Sequence, residues 1–164
     1  MQTIQLSKKT SLRKFTQDDI PFMQSLYATT RESELALTNF SEQEKLSFIT
    51  QQFNAQYQHY IQHYCTDSFN IIELENNPIG RLFVDYWEKE IRIVDIALMP
   101  EYRNAGIGSY YFKQLFDQAK ESGKSVSIHV EHNNPAKRLY ERLGFQLKTR
   151  TNEIYLLMEW QPSH

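Results

Sequence analysis

The sequence predicts an α+β domain: one central, mixed and mostly antiparallel sheet flanked by helices. Three observations predict it. Two helix-length segments, each opened by a capping signature, fill the first third of the 164-residue chain. From Phe69 onward short β-branched runs punctuated by turn residues replace them. Two further helical segments then interrupt those strands, so the order is mixed around one sheet. The length suits a single domain over residues 1–164 that can bury a real core, and no repeat, low-complexity stretch or Pro/Gly-rich linker divides it.

Taken in order, Ser11 to Phe15 alternates like a short strand. Thr16, with Asp19 three residues on, reads as the N-cap of a helix running to about Tyr27. Ser41 and Glu44 form a second capping box, and a long helix should follow to about Tyr64. On it Phe53, Tyr57, Tyr60 and Tyr64 share one face. Phe69 to Leu74 is strand-like, Asn76-Asn77-Pro78 a turn, Ile79 to Tyr86 the next strand and Trp87 to Glu90 a second turn. Ile91 to Leu98 is rich in aliphatic residues and should be a central, largely buried strand stopped by Pro100. A helix from about Ile107 to Glu121 ends at Gly123, a left-handed C-cap. Val126 to Val130 is a strand, Pro135 to Leu143 a short helix closed by Gly144, and strands near Phe145 to Lys148 and Glu153 to Trp160 finish the chain. The last two strands can close the sheet or pair between subunits, so a homodimer is compatible with the sequence.

Bulk properties remove several function classes. Net charge is -2 and the pI near 6.2, which gives no electrostatic reason to expect a nucleic-acid or membrane partner. No apolar run approaches the ~20 residues of a spanning helix. Met1 to Leu6 lacks the basic start and apolar stretch of a signal peptide. The one cysteine, Cys65, excludes an internal disulfide and fits a reducing compartment, so a cytoplasmic location is expected.

The segment 91–121 carries the chemistry. A strand ends at Pro100, the loop Arg103-Asn104-Ala105-Gly106-Ile107-Gly108 follows, and a helix begins at once. The first turn of a helix has unpaired N–H groups and a partial positive charge, so it can hold an anion. Gly106 and Gly108 remove Cβ atoms that would keep a pyrophosphate from the backbone, and Arg103 adds a donor for phosphate oxygens. The spacing is not that of a dinucleotide-binding fingerprint, and the Lys-Ser/Thr ending of a P-loop is missing. An αL turn that merely leads into a helix would use the same glycines.

A second cluster, Asn133-Asn134-Pro135-Ala136, Leu139-Tyr140 and Gly144-Phe145, follows the strand at 126–130. Together the two clusters resemble the GCN5-related N-acetyltransferase (GNAT) superfamily. Its cofactor loop, Arg/Gln-x-x-Gly-x-Gly/Ala, is matched by Arg103, Gly106 and Gly108, and its later motif by Asn133, Ala136, Leu139, Tyr140, Gly144 and Phe145, with Asn134 an alternative for the Asn position. The close match covers about 91–146. The resemblance implies a GNAT-like fold with a cofactor-binding core over about 69–160 and acceptor-side helices over about 16–64. It implies acetyl-CoA as the acyl donor, no metal, and a small-molecule or peptide amine as acceptor. Backbone groups of Ile96, Ala97 and Leu98 would pair with the pantetheine arm as an added strand, the amides of 103–108 would hold the pyrophosphate, and Asn133 or Asn134 would bind the arm. The amine would attack the thioester directly, and the leaving thiolate would take its proton from Tyr140, a phenol that is protonated at neutral pH. Core packing is the alternative role of Tyr140. A module that binds acyl-CoA without catalysing is the alternative function.

The general base is not fixed by the resemblance. Relatives often carry a carboxylate early in the strand before the cofactor loop, and that position here is Arg92, which cannot serve. Asp95, mid-strand among apolar residues, is one candidate base, with a structural role toward backbone or Arg groups as its alternative. His129, between Ile128 and Val130, titrates in the right range and is another; Glu131 shares its parity. A chain of waters is the third. His59 and His63, spaced i, i+4 near Cys65, lack the accompanying Glu and second cluster of a metal site. The acidic stretch Arg31 to Glu44 reads as solvated surface that would also attract a cationic amine.

Overall fold

A computed structural model describes residues 6–162. Met1 to Gln5, which carried most of the reading on a signal peptide, lies outside the described residues, as do 163–164. The elements are β1 (Thr10–Lys14), a 3-10 turn (Gln17–Asp19), α1 (Ile20–Ala36), α2 (Glu42–His63), β2 (Ser68–Leu74), β3 (Asn77–Tyr86) and β4 (Glu90–Leu98). They continue with a 3-10 turn (Pro100–Tyr102), α3 (Ile107–Ser122), β5 (Ser125–Glu131), α4 (Ala136–Arg142), β6 (Gln146–Arg150) and β7 (Tyr155–Trp160). The seven strands of the described residues form one sheet in the order β1-β2-β3-β4-β5-β7-β6, in which only β4 and β5 run parallel.

Helix starts obey the local chemistry. At α2 the Glu44 amide donates to Ser41 Oγ (3.1 Å) and the Ser41 amide to Glu44 Oε1 (2.9 Å). The Thr16–Asp19 signature also forms, but it opens the 3-10 turn, and α1 runs on to Ala36 rather than stopping near Tyr27. The extension has no apolar periodicity to announce it; Leu35, 7% exposed, is what it buries. The turn before β3 sits one residue earlier than expected. Glu75 and Asn76 both take positive φ (51° and 66°), as a two-residue hairpin requires, and Asn77 and Pro78 already belong to β3. Pro78 is tolerated because the register shifts there, pairing with Glu73 while Gly80 pairs with Ile72. β6 and β7 close the sheet within the chain.

Each sheet face carries its own core. Under α1 and α2 lie Phe15, Met23, Phe53, Phe69 and Phe83, the last two stacked with centroids 4.2 Å apart. Under α3 and α4 lie Ile91, Ile93, Ile107, Phe112, Tyr140 and Phe145 among others. Each such apolar side chain contributes roughly 1.5–3 kcal/mol relative to exposure. The strand expected to be largely buried is so only at its start: Ile91, Arg92 and Ile93 are buried, whereas 94–98 are half-buried.

Candidate active site

The half-burial of β4 marks the place where the sheet opens. β4 and β5 pair from Glu90↔Ser125 to Ile93↔Ile128 and no further. Beyond that point β4 continues along β3 to Leu98, and β5 continues along β7 to Glu131. The edges of 94–98 and 129–131 therefore face a wedge without a strand between them. A β-bulge sits at the parting: Phe83 pairs with Asp95 and Val84 with Ile93, so Val94 is the extra residue. Bulges add local twist and reverse side-chain parity. Val94 and Asp95 consequently both turn toward α2, while Ile96 and Leu98 pack with the α3 core.

At the end of the wedge the chain makes the loop to α3. Asn104 takes φ 60° and Gly106 φ 82°, and Gly106 is the N-cap, with the Tyr110 amide donating to its carbonyl at 3.0 Å. No side chain caps this helix, so its first-turn amides are open. Ile107 is fully buried and anchors the turn, leaving only its backbone to the loop. Gly108 differs from Gly106. A Cβ built there meets no heavy atom within 4 Å, so the fold itself has no need of glycine. Ala105 is half-buried.

The Arg103 side chain is placed differently from expectation. Its Nε donates to the Leu98 carbonyl (2.9 Å) and Nη2 to Thr29 Oγ1 on α1 (2.8 Å), so the guanidinium ties the loop to β4 and α1. It is the buckle of the loop, and the Leu98 carbonyl is occupied by it. The two asparagines also separate. Asn134 Oδ1 accepts from the Ala136 amide at 2.9 Å and caps α4, whereas Asn133 is exposed at the wedge end of β5.

Chemistry-bearing side chains meet the wedge from both faces. Tyr140, 8% exposed on α4, packs against Phe112 and Phe145 at centroid distances of 5.7 and 5.9 Å. Burial, and after it the Asp95 carboxylate, push its phenol well above the ordinary range. Asp95 thus acts on Tyr140 from the other face of the sheet. On its own side Asp95 is ion-paired through Oδ2 with Arg81, and Tyr60 donates to the same oxygen at 3.3 Å. Desolvation, then the Asp95 charge, raise the Tyr60 phenol as well. Arg81 is 2% exposed; Nη2 also reaches Gln56 Oε1 (2.7 Å), and Nε and Nη1 have no hydrogen-bond partner.

His129 stands on the open side of β5. Its Nδ1 lies 3.4 Å from Arg92 Nη1 and its Nε2 3.1 Å from Thr151 Oγ1. A guanidinium has no lone pair, so Nδ1 must accept and Nε2 carries the proton. That lone pair therefore faces Arg92 on β4 and is held by its long contact. Burial first, and Arg92 second, lower the imidazole from its usual 6.5, with Glu90 opposing. Arg92 is itself anchored by Ser127 Oγ (2.8 Å), Glu90 Oε2 (3.2 Å) and the Trp87 ring, 4.7 Å away. The aromatic face of α2 divides: Phe53 and Tyr57 are core, Tyr60 reaches Asp95, and Tyr64 stacks on Trp87 at 6.4 Å. His59 and His63 stack on each other at 4.2 Å, and His63 Nδ1 contacts the His59 carbonyl. The described residues contain no group of three or more metal-ligating side chains, and no helix among them is long and apolar enough to cross a membrane.

This architecture matches known proteins. Residues 26–145 fit the acetyltransferase (GNAT) family. The chain belongs to that family. A [ribosomal protein bS18]-alanine N-acetyltransferase of Haemophilus influenzae is 30% identical over 95 residues, covering 57% of this chain and 61% of that protein. The uncharacterized N-acetyltransferase CgeE of Bacillus subtilis is 29% identical over 77 residues, 46% of this chain and 30% of the relative. The matched stretches thus span less than two thirds of these GNAT relatives. Among solved structures, the PaiA N-acetyltransferase of Thermoplasma acidophilum in complex with coenzyme A aligns at TM-score 0.66 with 17% identity, over 93% of this chain and 98% of that one. The ribosomal-protein-S18-alanine N-acetyltransferase of Escherichia coli aligns at 0.59 with 18% identity, over 94% and 95%. The fold is the GNAT fold. Four features of this site were not foreseen from the sequence: Arg81, the engagement of Tyr60, the Thr29 contact and the bulge at Val94. All depend on register or on partners distant in the chain; the aromatic face of α2 alone gave a signal, at Tyr60.

Proposed function

We propose that the chain transfers an acetyl group from acetyl-CoA to the α-amine of a polypeptide, in one ternary complex. The observation that carries this is the parting of β4 from β5 beyond Ile93↔Ile128, with Tyr140 on one side and His129 and Asp95 on the other. The donor fits the residues present. The edge of Ile96, Ala97 and Leu98, apart from the Leu98 carbonyl that Arg103 engages, would take the pantetheine amides as an added strand. The amides of Arg103, Asn104, Ala105, Gly106, Ile107 and Gly108 would hold the pyrophosphate, where the vacant side of Gly108 lets phosphate oxygens reach the helix N-terminus. Asn133, its side chain exposed, is better placed for the arm than Asn134, whose oxygen caps α4. When bound, the donor supplies an activated acyl carbon on a thiolate leaving group.

The protein's part is proton handling and orientation. His129, its imidazole lowered from 6.5, accepts through a water in the wedge the proton that the incoming ammonium must lose, at Nδ1 as the 3.4 Å contact from Arg92 gives way. The nitrogen then bonds to the acyl carbon, the carbon–sulfur bond breaks, Tyr140 gives its phenolic proton to the sulfur, and the second nitrogen proton, shed as the amide forms, returns to the phenolate through water. The raised phenol stays protonated across the physiological range and so remains a donor. A polypeptide acceptor is supported by relatives named as acting on ribosomal protein alanine and by a neighbour, Arabidopsis thaliana Naa50, solved with a peptide bisubstrate analogue. The test is thiol release from acetyl-CoA with an alanine-starting peptide, against the same peptide N-acetylated. Release with the free peptide alone is expected. Coenzyme binding without release would leave an acyl-CoA sensor in its place.

A further inference from the structure

We propose that Asp95 docks the acceptor as its ammonium ion through Oδ1, and that Arg81 and Tyr60 are positioning residues that aim it. The inference rests on the transferase reading above and adds the charge state and first contact of the amine. Asp95 reaches the acceptor side only because the bulge at Val94 reverses parity. Its Oδ2 is taken by Arg81 and Tyr60, whereas no described residue hydrogen-bonds to Oδ1. The Asp95 side chain is 19% exposed, so the carboxylate is not sealed from solvent. Asp95 lies on β4 just beyond its last pair with β5, so an ion held at Oδ1 stands where the two strands part.

The other carboxylates on this face do not compete. Glu90 is consumed by Ser127 and Arg92. Glu131 lies at the outer end of β5, where its charge acts on Tyr155. Arg81 explains why Asp95 is rigid. The guanidinium is buried over the Phe83 ring, 5.0 Å from its centroid, and with Nε and Nη1 unpaired it has only Asp95 as counter-charge among the described residues. Swinging Asp95 away would strand that charge in a low dielectric. Tyr60, bonded to the same oxygen as Arg81, helps to hold the carboxylate and leaves Oδ1 as the oxygen without a hydrogen bond. Charge-assisted hydrogen bonds from an ammonium to such an oxygen are among the stronger neutral-pH contacts available to a ligand. The contact is a docking one, and no proton transfer is assigned to Asp95.

The experiment is a cycle between ligand charge and Asp95, read by calorimetry on protein saturated with coenzyme A so that no turnover is needed. The probes are trialanine amide, its N-formyl derivative and 1,4-diaminobutane. An ammonium probe should bind the wild type and lose tenfold or more in Asp95→Asn, while the formyl peptide shows no difference between the two. Coenzyme A affinity should stay within twofold. R81Q/D95N, which leaves no uncompensated buried charge, should show the same loss, and Tyr60→Phe a smaller one of two- to fivefold. Equal loss for charged and uncharged probes, unchanged affinity in both Asp95 variants, or no binding of either ammonium probe overturns the proposal. Absence of thiol release with intact coupling would instead sink the transferase reading and leave the docking site standing.

Discussion

Tyr140→Phe removes one oxygen from a side chain that is 8% exposed and leaves its packing against Phe112 and Phe145 in place. If the phenol protonates the departing sulfur, kcat should fall on the order of 10²-fold or more. The acetyl-CoA Kd should not move. Steady-state kinetics and calorimetry on the same variant separate the two, and a wild-type kcat would return Tyr140 to the core. His129 makes a prediction of opposite character, one of pH. A base works only when unprotonated, and this imidazole is lowered from 6.5, so the acid limb of kcat/KM should fall below that value. Activity is then already at its plateau at neutral pH and is lost only as pH falls through the lowered midpoint. His129→Gln should lower the plateau and abolish the limb. A profile that keeps the limb in the variant, or that simply follows deprotonation of the acceptor, would hand the proton to water.

At the scale of the elements, Gly108→Trp isolates the anion cradle. Gly106 takes φ 82° and serves the chain's own conformation, whereas a Cβ added at Gly108 meets no heavy atom within 4 Å. A tryptophan there should therefore leave the thermal midpoint within about 2 °C, since surface changes of this kind cost about 0.5 kcal/mol or less. It should also remove coenzyme A binding by calorimetry. Retained binding would place the pyrophosphate elsewhere. The same elements show what was legible in the sequence. Ser41 and Glu44 announce the start of α2 because a capping box is local chemistry, and the paired motifs around Gly106 and Tyr140 announce the family for the same reason. The bulge at Val94 was not legible. It arises from β3–β4 register, which no run of residues in β4 alone encodes, and without it Asp95 would point into the α3 core. Arg103 shows the same limit: the motif gives the residue, but Leu98 and Thr29, distant in the chain or set by the loop, hold its guanidinium here. Arg81 lay unnoticed inside an apolar strand because its significance is a partner fourteen positions away.

For the whole molecule, the weak place is the middle of the sheet. The core under α1 and α2 and the core under α3 and α4 lie on opposite faces, and β5, β7 and β6 join the rest only along Glu90–Ile93. A ligand strand seated in the wedge would extend that seam to the end of β4. Linkage then requires stabilisation: at a hundredfold excess over Kd, binding to the native state alone adds about 2.7 kcal/mol. For a chain of this size that is roughly 5–11 °C in thermal midpoint. The location of the effect is the sharper readout. Coenzyme A should slow amide exchange at 94–98 and at 104–109, because both the open strand edge and the open helix amides gain acceptors or lose water. Exchange in β1, the edge strand, and in β2, both on the far side of β3 from the wedge, should not change below the global opening limit. Protection confined to 104–109 would mean that the pyrophosphate is held but the pantetheine arm does not lie along β4. The wedge would then lack the thioester that brings Tyr140 and His129 to a common atom.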